Sequence, residues 1–398
     1  MKKLLIIGMS LNVGGAEKSL VNLLNMIDYS QYNVDLLLFQ ERGDFLKQVP
    51  SEVNIISERI IKVLFQSFSD TLRLPSKGFK DIYFILLRYI ASIIETLKWK
   101  QFDQIRIHRW IDFYKNAIPN NKNIYDVAVA YAGGDTAYYM VDKVNAVRKV
   151  YFFHSDYSKI NIDADLERRY VNQVDTVITI SNICKRSLDK LFPEKKKDIV
   201  VLRNLSSPKL IWKLANEYKP KEFGVKENTI KLVSVGRLNA IKGYDIAVEA
   251  ANILKKSGVD FRWVVVGEGE ERRKIERQIK RYGLEQHVIL TGLKVNPYPY
   301  ILNSDILLQT SYFEGRSVVL DEAKILKTPA IITNYNSAHD QIQNGIDGLI
   351  VEMSAEGIAA GIINCIQDKA KLLSMKDAAN IDSTVNDIEC YMKVLINY

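Results

Sequence analysis

Cysteine is scarce in this 398-residue chain: Cys184, Cys365 and Cys390 are widely spaced and form no metal-ligand or redox pattern. That excludes a disulfide framework and a thiolate metal site, and a reducing compartment is the simple reading. Proline and glycine number only 9 and 20, and no repeat or low-complexity tract occurs, which excludes fibrous and disordered classes. Long uncharged apolar runs are missing too. The longest candidate, 82–94, carries Arg88 and falls short of the 18 or so residues a membrane helix needs. The opening run Leu4–Ile7 is cut by Gly8, too early for the core of a secretion signal. The expected location is therefore cytoplasmic.

Hydrophobic residues make up 47% of the chain, enough for two cores, and the length suits two domains. The net charge of +8 is concentrated: segment 59–122 holds 12 Lys/Arg against 5 Asp/Glu. Such a surplus points either to an anionic partner or to a solvated helix face. No RNA- or DNA-binding motif accompanies it, so nucleic acid is not an expected partner.

The first half alternates short apolar runs with helical patterns. Strands are expected at 3–7, 33–39, 53–56, 126–131, 149–153 and 176–180, and a helix at 15–27. Continuous apolar strands separated by helices imply a parallel sheet covered on both faces. Segment 59–122 breaks this rhythm as a basic, aromatic and helical insertion. One short strand, 198–202, lies among Pro and Lys clusters, and the domain boundary is placed near 206–208. The rhythm then restarts: strands at 231–235, 262–266, 288–291, 306–309, 330–333 and 349–351, helices at 244–257 and 272–282, and a final helix at 382–397. The expected architecture is α/β, with two Rossmann-like domains, 1–207 and 208–381, facing across a cleft. The tail 382–398 is expected to pack back on the first domain. In such sheets ligands sit beyond the carboxyl ends of the strands, so the loops there carry the chemistry.

Three loops stand out. Gly8–Glu17 runs from the first strand into the first helix, and its paired Gly14 and Gly15 either bring backbone close to a phosphate at a helix N-terminus or merely form a tight turn. It is neither GxGxxG nor a P-loop. Gly236–Tyr244 carries Arg237 and Lys242, five apart after a strand: a fork and a point charge suited to a diphosphate, or two solvated cations. Phe313–Ala323 holds Glu314 and Glu322 eight apart, around Gly315, Arg316 and Ser317. With a helix starting near Val318, amides would face a ligand while each carboxylate accepts from vicinal hydroxyls.

The pieces GGAE, GRLNAIKG, VVGEGEE, FEGRSVVLDEA and NGIDGLIV, in this order, resemble glycosyltransferase family 4, a group of retaining GT-B enzymes. The likeness spans nearly the whole chain and is densest over 233–351. It implies that Gly14 and Gly15 meet the donor phosphate, that Gly236 lines the diphosphate loop, and that Arg237 and Lys242 bind the diphosphate. It implies that Glu322 holds the ribose hydroxyls, while Glu314, Gly315 and the amides of Arg316 and Ser317 hold the donor sugar. The amides of Val318 and Val319 face the phosphates, Gly267 and Glu268 line the nucleotide end, and Leu293 meets the base. His154, ending an apolar strand, is placed beside the donor sugar. Without the likeness it reads as a structural histidine. Glu17, Ser181 and Asn204 fall near the acceptor side; helix capping and turn formation are the plainer roles for Ser181 and Asn204. Where many family members read EGFG, this chain has Glu314-Gly315-Arg316-Ser317, which adds a cation beside the sugar or acceptor.

The resemblance also implies the reaction. A hexose or N-acetylhexosamine leaves a nucleotide sugar, with UDP the family habit, and joins a glycan or lipid-linked acceptor with retention. Cations and helix N-termini meet the charge growing on the leaving diphosphate, so neither metal nor cofactor is required. The insertion, with Tyr83, Phe84, Tyr89, Trp99, Trp110 and Phe113 among its cations, reads either as an anionic-membrane contact near a polyprenyl-diphosphate acceptor or as internal packing. Three rivals stand beside this. Asp163-Ala164-Asp165 is a literal DxD of the metal-dependent type, although the surrounding pattern is helical. A nucleotide-sugar 2-epimerase shares the scaffold, and so does a non-catalytic partner protein.

Overall fold

The computed structural model describes residues 1–66, 78–154, 163–224, 226, 228–314, 316–379 and 388–397. The chain divides into two units, Met1–Leu205 with Asp387–Tyr398, and Ser206–Asn386.

The first unit is built on seven strands: β1 (Lys2–Gly8), β2 (Tyr32–Leu38), β3 (Asn54–Ile56), β4 (Ile124–Ala130), β5 (Asn145–Phe153), β6 (Thr176–Thr179) and β7 (Ile199–Val201). They form one parallel sheet in the order β3-β2-β1-β4-β5-β6-β7, with Leu4 opposite Val34 on one side and Val127 on the other. Leu4 to Ile7 are all buried, because helices cover both faces. The order turns back at β1, so the switch point lies between β1 and β4.

The insertion folds as helices Arg59–Phe65, Phe79–Lys98 and Phe102–Arg109, continued by a π-helical turn, Trp110–Tyr114. Its residues 67–77 lie outside the described part of the chain. Its aromatics divide. Trp110 and Tyr114 are fully buried, Phe84 nearly so, and the Trp110 indole donates to Asp142 at 2.8 Å. Trp99 stacks on His108 at 4.2 Å. Of the six aromatics that suggested a membrane contact, Trp110 and Phe84 therefore belong to the core, whereas Tyr83 and Tyr89 are exposed. The helix Ile388–Asn397 completes this unit: Tyr391, Met392 and Leu395 are buried, and the Arg148 guanidinium donates to the Leu395 carbonyl at 3.0 Å. The expected first residues of that helix, 382–387, lie outside the described residues.

The second unit has six strands: β8 (Ile230–Val235), β9 (Phe261–Val266), β10 (Val288–Leu290), β11 (Ile306–Gln309), β12 (Ala330–Thr333) and β13 (Gly348–Val351). They are parallel, in the order β10-β9-β8-β11-β12-β13, and the switch point lies between β8 and β11. The polar edge of the buried Trp263 is anchored: its indole donates to Ser234 Oγ at 3.0 Å, and that hydroxyl donates to the Leu308 carbonyl. The helix Pro208–Ala215 was not anticipated. Its signals are local: Pro208 in the first position and Ser207 as cap, accepting from the Leu210 amide. Lys and Pro clusters had marked this stretch as linker.

Candidate active site

The loop after β8 is shaped by close backbone approach. A Cβ on Gly267 would lie 1.8 Å from the Gly236 carbonyl oxygen, so only glycine lets the ends of β8 and β9 meet. Gly243 adopts φ 62°, and a Cβ there would lie 2.1 Å from the Thr310 oxygen. This left-handed residue opens the helix Tyr244–Lys256 and turns Lys242 toward the end of β11. Asn239 Oδ1 accepts from the Lys242 amide and sets the preceding turn.

The consequence is the central contact of the site. Lys242 Nζ donates to Glu314 Oε1 at 2.5 Å, and Ser311 Oγ donates to the same oxygen at 2.7 Å. Both charged side chains are largely shielded. Two residues that the sequence placed in separate loops thus form one ion pair at the switch point of the sheet. Thr333 Oγ1 donates to the Ser311 carbonyl and Ser337 Oγ to that of Glu314, so the loop between β11 and the next helix is held from both ends.

That helix runs Val318–Ile325 with Ser317 as cap residue. The amides of Val318 and Val319 lie in its first turn, where no intrahelical acceptor exists. The Ser317 amide, expected to face a sugar, instead donates to Gln341 Oε1 at 2.7 Å, while Gln341 Nε2 donates to the Ser317 carbonyl. Ser317 Oγ donates to Gln309 at 2.5 Å. Arg316, expected to add a cation beside the sugar or acceptor, is joined to Asp321 at 2.9 Å in a largely buried pair. Burial pushes the Asp321 carboxyl up, with the Arg316 charge opposing. Gly315 lies outside the described residues. Glu322 is 0% exposed, on the second turn, with the Tyr298 hydroxyl 3.5 Å from its Oε1. Burial, then the Glu322 charge, raises the Tyr298 phenol well above its ordinary value.

The remaining candidates of this unit lie at strand ends. Arg237 is 71% exposed and pairs with Glu270 at 3.2 Å. Glu268 pairs with Arg272 at 2.8 Å. Gly267 and Gly292 form a bridge between the ends of β9 and β10, and Leu293 beside it is exposed. Sequence reasoning did not single out Ser311, Gln309, Asp321, Gln341 or Tyr298. Each acts through a partner that no fixed spacing reveals.

In the first unit, Gly14 caps the helix Gly15–Leu24 and Gly15 is exposed, with nothing within 4 Å of a built Cβ. Glu17 folds back over Gly14, since a Cβ there would meet its Oε2 at 2.2 Å, and burial raises its carboxyl. His154 follows β5 and is packed between aromatics, 4.9 Å from the Tyr131 ring and 5.5 Å from Phe152. Burial lowers its imidazole to about 4, opposed by a hydrogen bond with the Tyr131 backbone. Tyr131 shares contacts with Ser19 at 2.8 Å and Tyr391 at 3.2 Å. Ser181 is a helix cap, accepting from the Cys184 amide at 3.2 Å. Asn204 is half-buried.

The DxD pair is used locally. Asp163 caps the helix Ala164–Val171, and Asp165 is exposed and paired with Arg168. Among the described residues, Glu95, His108 and Asp112 bring metal-ligating atoms within 4.8 Å of one another, but Lys98 already occupies Glu95 Oε1. This group belongs to the insertion and not to the loops above.

Comparison with known proteins follows this geometry. Over its whole length the chain is similar to Anabaena HepE in complex with UDP and glucose: 98% of this chain and 99% of that one align, with TM-score 0.63 and 18% identity. Together with its two parallel-sheet units, this gives the chain the GT-B fold. Residues 216–381, within the second unit, match the family described as glycosyl transferases group 1. The chain is 26% identical over 217 residues to the N-acetyl-alpha-D-glucosaminyl L-malate synthase of Bacillus anthracis, covering 54% of this chain and 56% of that protein. It is 29% identical over 201 residues, 48% of this chain and 54% of that protein, to the Campylobacter jejuni N-acetylgalactosamine-N,N'-diacetylbacillosaminyl-diphospho-undecaprenol 4-alpha-N-acetylgalactosaminyltransferase. The chain spans about half the length of the curated relatives it matches.

Proposed function

We propose that this protein is a retaining glycosyltransferase of the family 4 type. It moves a hexose or N-acetylhexosamine from a UDP-sugar to a glycan acceptor, polyprenyl-diphosphate-linked, in surface polysaccharide synthesis. The observation that carries the reading is the Lys242–Glu314 pair at the switch point of the second unit, beside the N-terminus of helix Val318–Ile325 and the buried Glu322. The carboxyl ends at a switch point are where open α/β sheets bind nucleotides. The names of the Bacillus and Campylobacter relatives, an N-acetylglucosaminyl malate synthase and an N-acetylgalactosaminyltransferase, support the class of donor. The UDP bound by the HepE structure supports the nucleotide.

In the ligand-free arrangement Lys242 and Glu314 neutralise each other. A diphosphate draws the ammonium to its oxygens and releases the carboxylate to accept from sugar hydroxyls. The two events are coupled, because Lys242 and Glu314 share one ion pair. Arg237, exposed and paired with Glu270, swings onto the diphosphate at little cost. As the glycosidic bond to the diphosphate breaks, the negative charge on the leaving oxygens grows. Lys242, Arg237 and the Val318 and Val319 amides meet that charge without a metal. Buried Glu322 accepts from the ribose hydroxyls.

The test is nucleoside diphosphate release from a panel of UDP- and GDP-sugars, with EDTA present and lipid-linked acceptor extract added. Release from one donor that falls about 100-fold or more in Lys242→Ala and in Glu322→Ala is the expected result. Nucleotide binding without release from any donor would overturn the reading in favour of a non-catalytic partner, and EDTA-abolished release would overturn the metal-free mechanism.

A further inference from the structure

The helix Phe79–Lys98 is 20 residues long, about 30 Å, and only one side of it packs inward. Phe84, Ala91 and Glu95 are buried on that side. On the opposite side Phe79, Ile82, Leu86, Ile90, Ile93 and Leu97 are all exposed, Phe79 by 93% and Leu97 by 83%. At 100° per residue these six, with exposed Tyr83, fall within an arc of about 100°, which is a full amphipathic stripe. A soluble monomer rarely shows a continuous apolar face of this length, and such faces mark contacts. The stripe itself bears no charge. Lys80 and Lys98 lie on one border, both exposed, and Tyr89 and Thr96 on the other. The acidic residues of the helix point away from it: Asp81 pairs with Arg59, and Glu95 is buried beside Lys98.

We infer that this helix is a membrane-docking element that lies in the interface of an anionic lipid bilayer, with its stripe among the acyl chains and Lys80 and Lys98 at the headgroups. Charge complementarity selects the occupant. The insertion 59–122 carries a surplus of seven positive charges, which attracts an anionic surface and opposes pairing with a second copy of itself. A coiled-coil partner is disfavoured by the helix as well. The positions flanking a heptad seam through Phe79, Ile82 and Leu86 are Tyr83, Ile85, Ile90 and Ser92, which supply none of the charge pairs that fix such a seam. Among the described residues no helix is long and apolar enough to cross a membrane, so this element lies on the bilayer and does not span it. The inference rests on the helix and on the charge of its insertion, and does not depend on the transferase reading.

The experiment is flotation of the full chain with phosphatidylcholine vesicles, with and without phosphatidylglycerol, at low and high salt. Wild type is expected to float with the phosphatidylglycerol vesicles at low salt, and Leu86→Glu and Ile93→Glu to lose about tenfold or more of that binding. Both positions are exposed, so an unchanged melting curve identifies variants that still fold. Tyr83→Trp supplies a second readout, a blue shift of its emission on vesicle addition. Wild type remaining unbound to both vesicle types, or Glu variants floating like wild type, overturns the inference. A concentration-dependent dimer abolished by the same substitutions, without vesicle binding, overturns it in favour of a second copy. Donor release measured on the same variants separates this result from the transferase reading, since neither residue belongs to the nucleotide loops.

Discussion

His154 shows how environment sets the role of one side chain. Aromatic rings enclose it, and burial holds the imidazole at about 4, against 6.5 for an ordinary histidine. Between those values the unfolded chain binds the proton and the folded chain does not. Stability from this group is therefore complete above about pH 6.5 and is lost as pH falls toward 4. Thermal melts from pH 7 down to pH 4 are expected to show a falling midpoint that flattens in His154→Gln. A Gln variant with the same acid sensitivity as wild type would assign the effect to other groups. Arg316 makes the opposite point. Its charge is matched by Asp321, so truncating it leaves a shielded carboxylate without its partner, a cost separate from any effect on donor binding.

At the scale of elements, the glycine contacts at the strand ends decide the geometry of the nucleotide loops. Gly267→Ala forces a Cβ against the Gly236 carbonyl at 1.8 Å. The backbone must shift, at a cost of roughly 1–3 kcal/mol, and the bridge to Gly292 must open. Denaturant unfolding should show the loss, and UDP affinity should fall with it; unchanged stability would mean that β8 and β9 tolerate separation. The strands themselves were legible in the sequence, because each is a short continuous apolar run. β11 and β12 were read to the residue, and most others to within one or two. β5 was read four residues short, because Asn145 and Arg148 hide its start among polar residues. The helices Ala355–Gln367 and Lys369–Ala378 were not read, although Ser354 and Asp368 cap them.

After the second unit the helix Ile388–Asn397 belongs again to the first. It buries Leu395 completely and places Tyr391 against Tyr131, the residue on which His154 rests. Leu395→Ala is expected to destabilise the first unit by about 2–5 kcal/mol. Hydrogen exchange should report the loss in β4 and β5 and spare β8 to β13. Equal loss in both units would mean that they unfold as one.

The amino-acid sequence by itself determined the alternation of strand and helix, the two sheets, the glycine-bearing loops after the strands and the residues in them, because these are written in short runs whose meaning is local. Tertiary structure alone decided which of those residues meet. Lys242 and Glu314 are 72 positions apart, Ser317 and Gln341 24, and Tyr131 and Tyr391 260. It also decided that Trp110 turns inward while Leu86 and Ile93 face solvent. Hydrogen bonds and burial are settled between distant segments once strand order is fixed, and no spacing along the chain encodes that order.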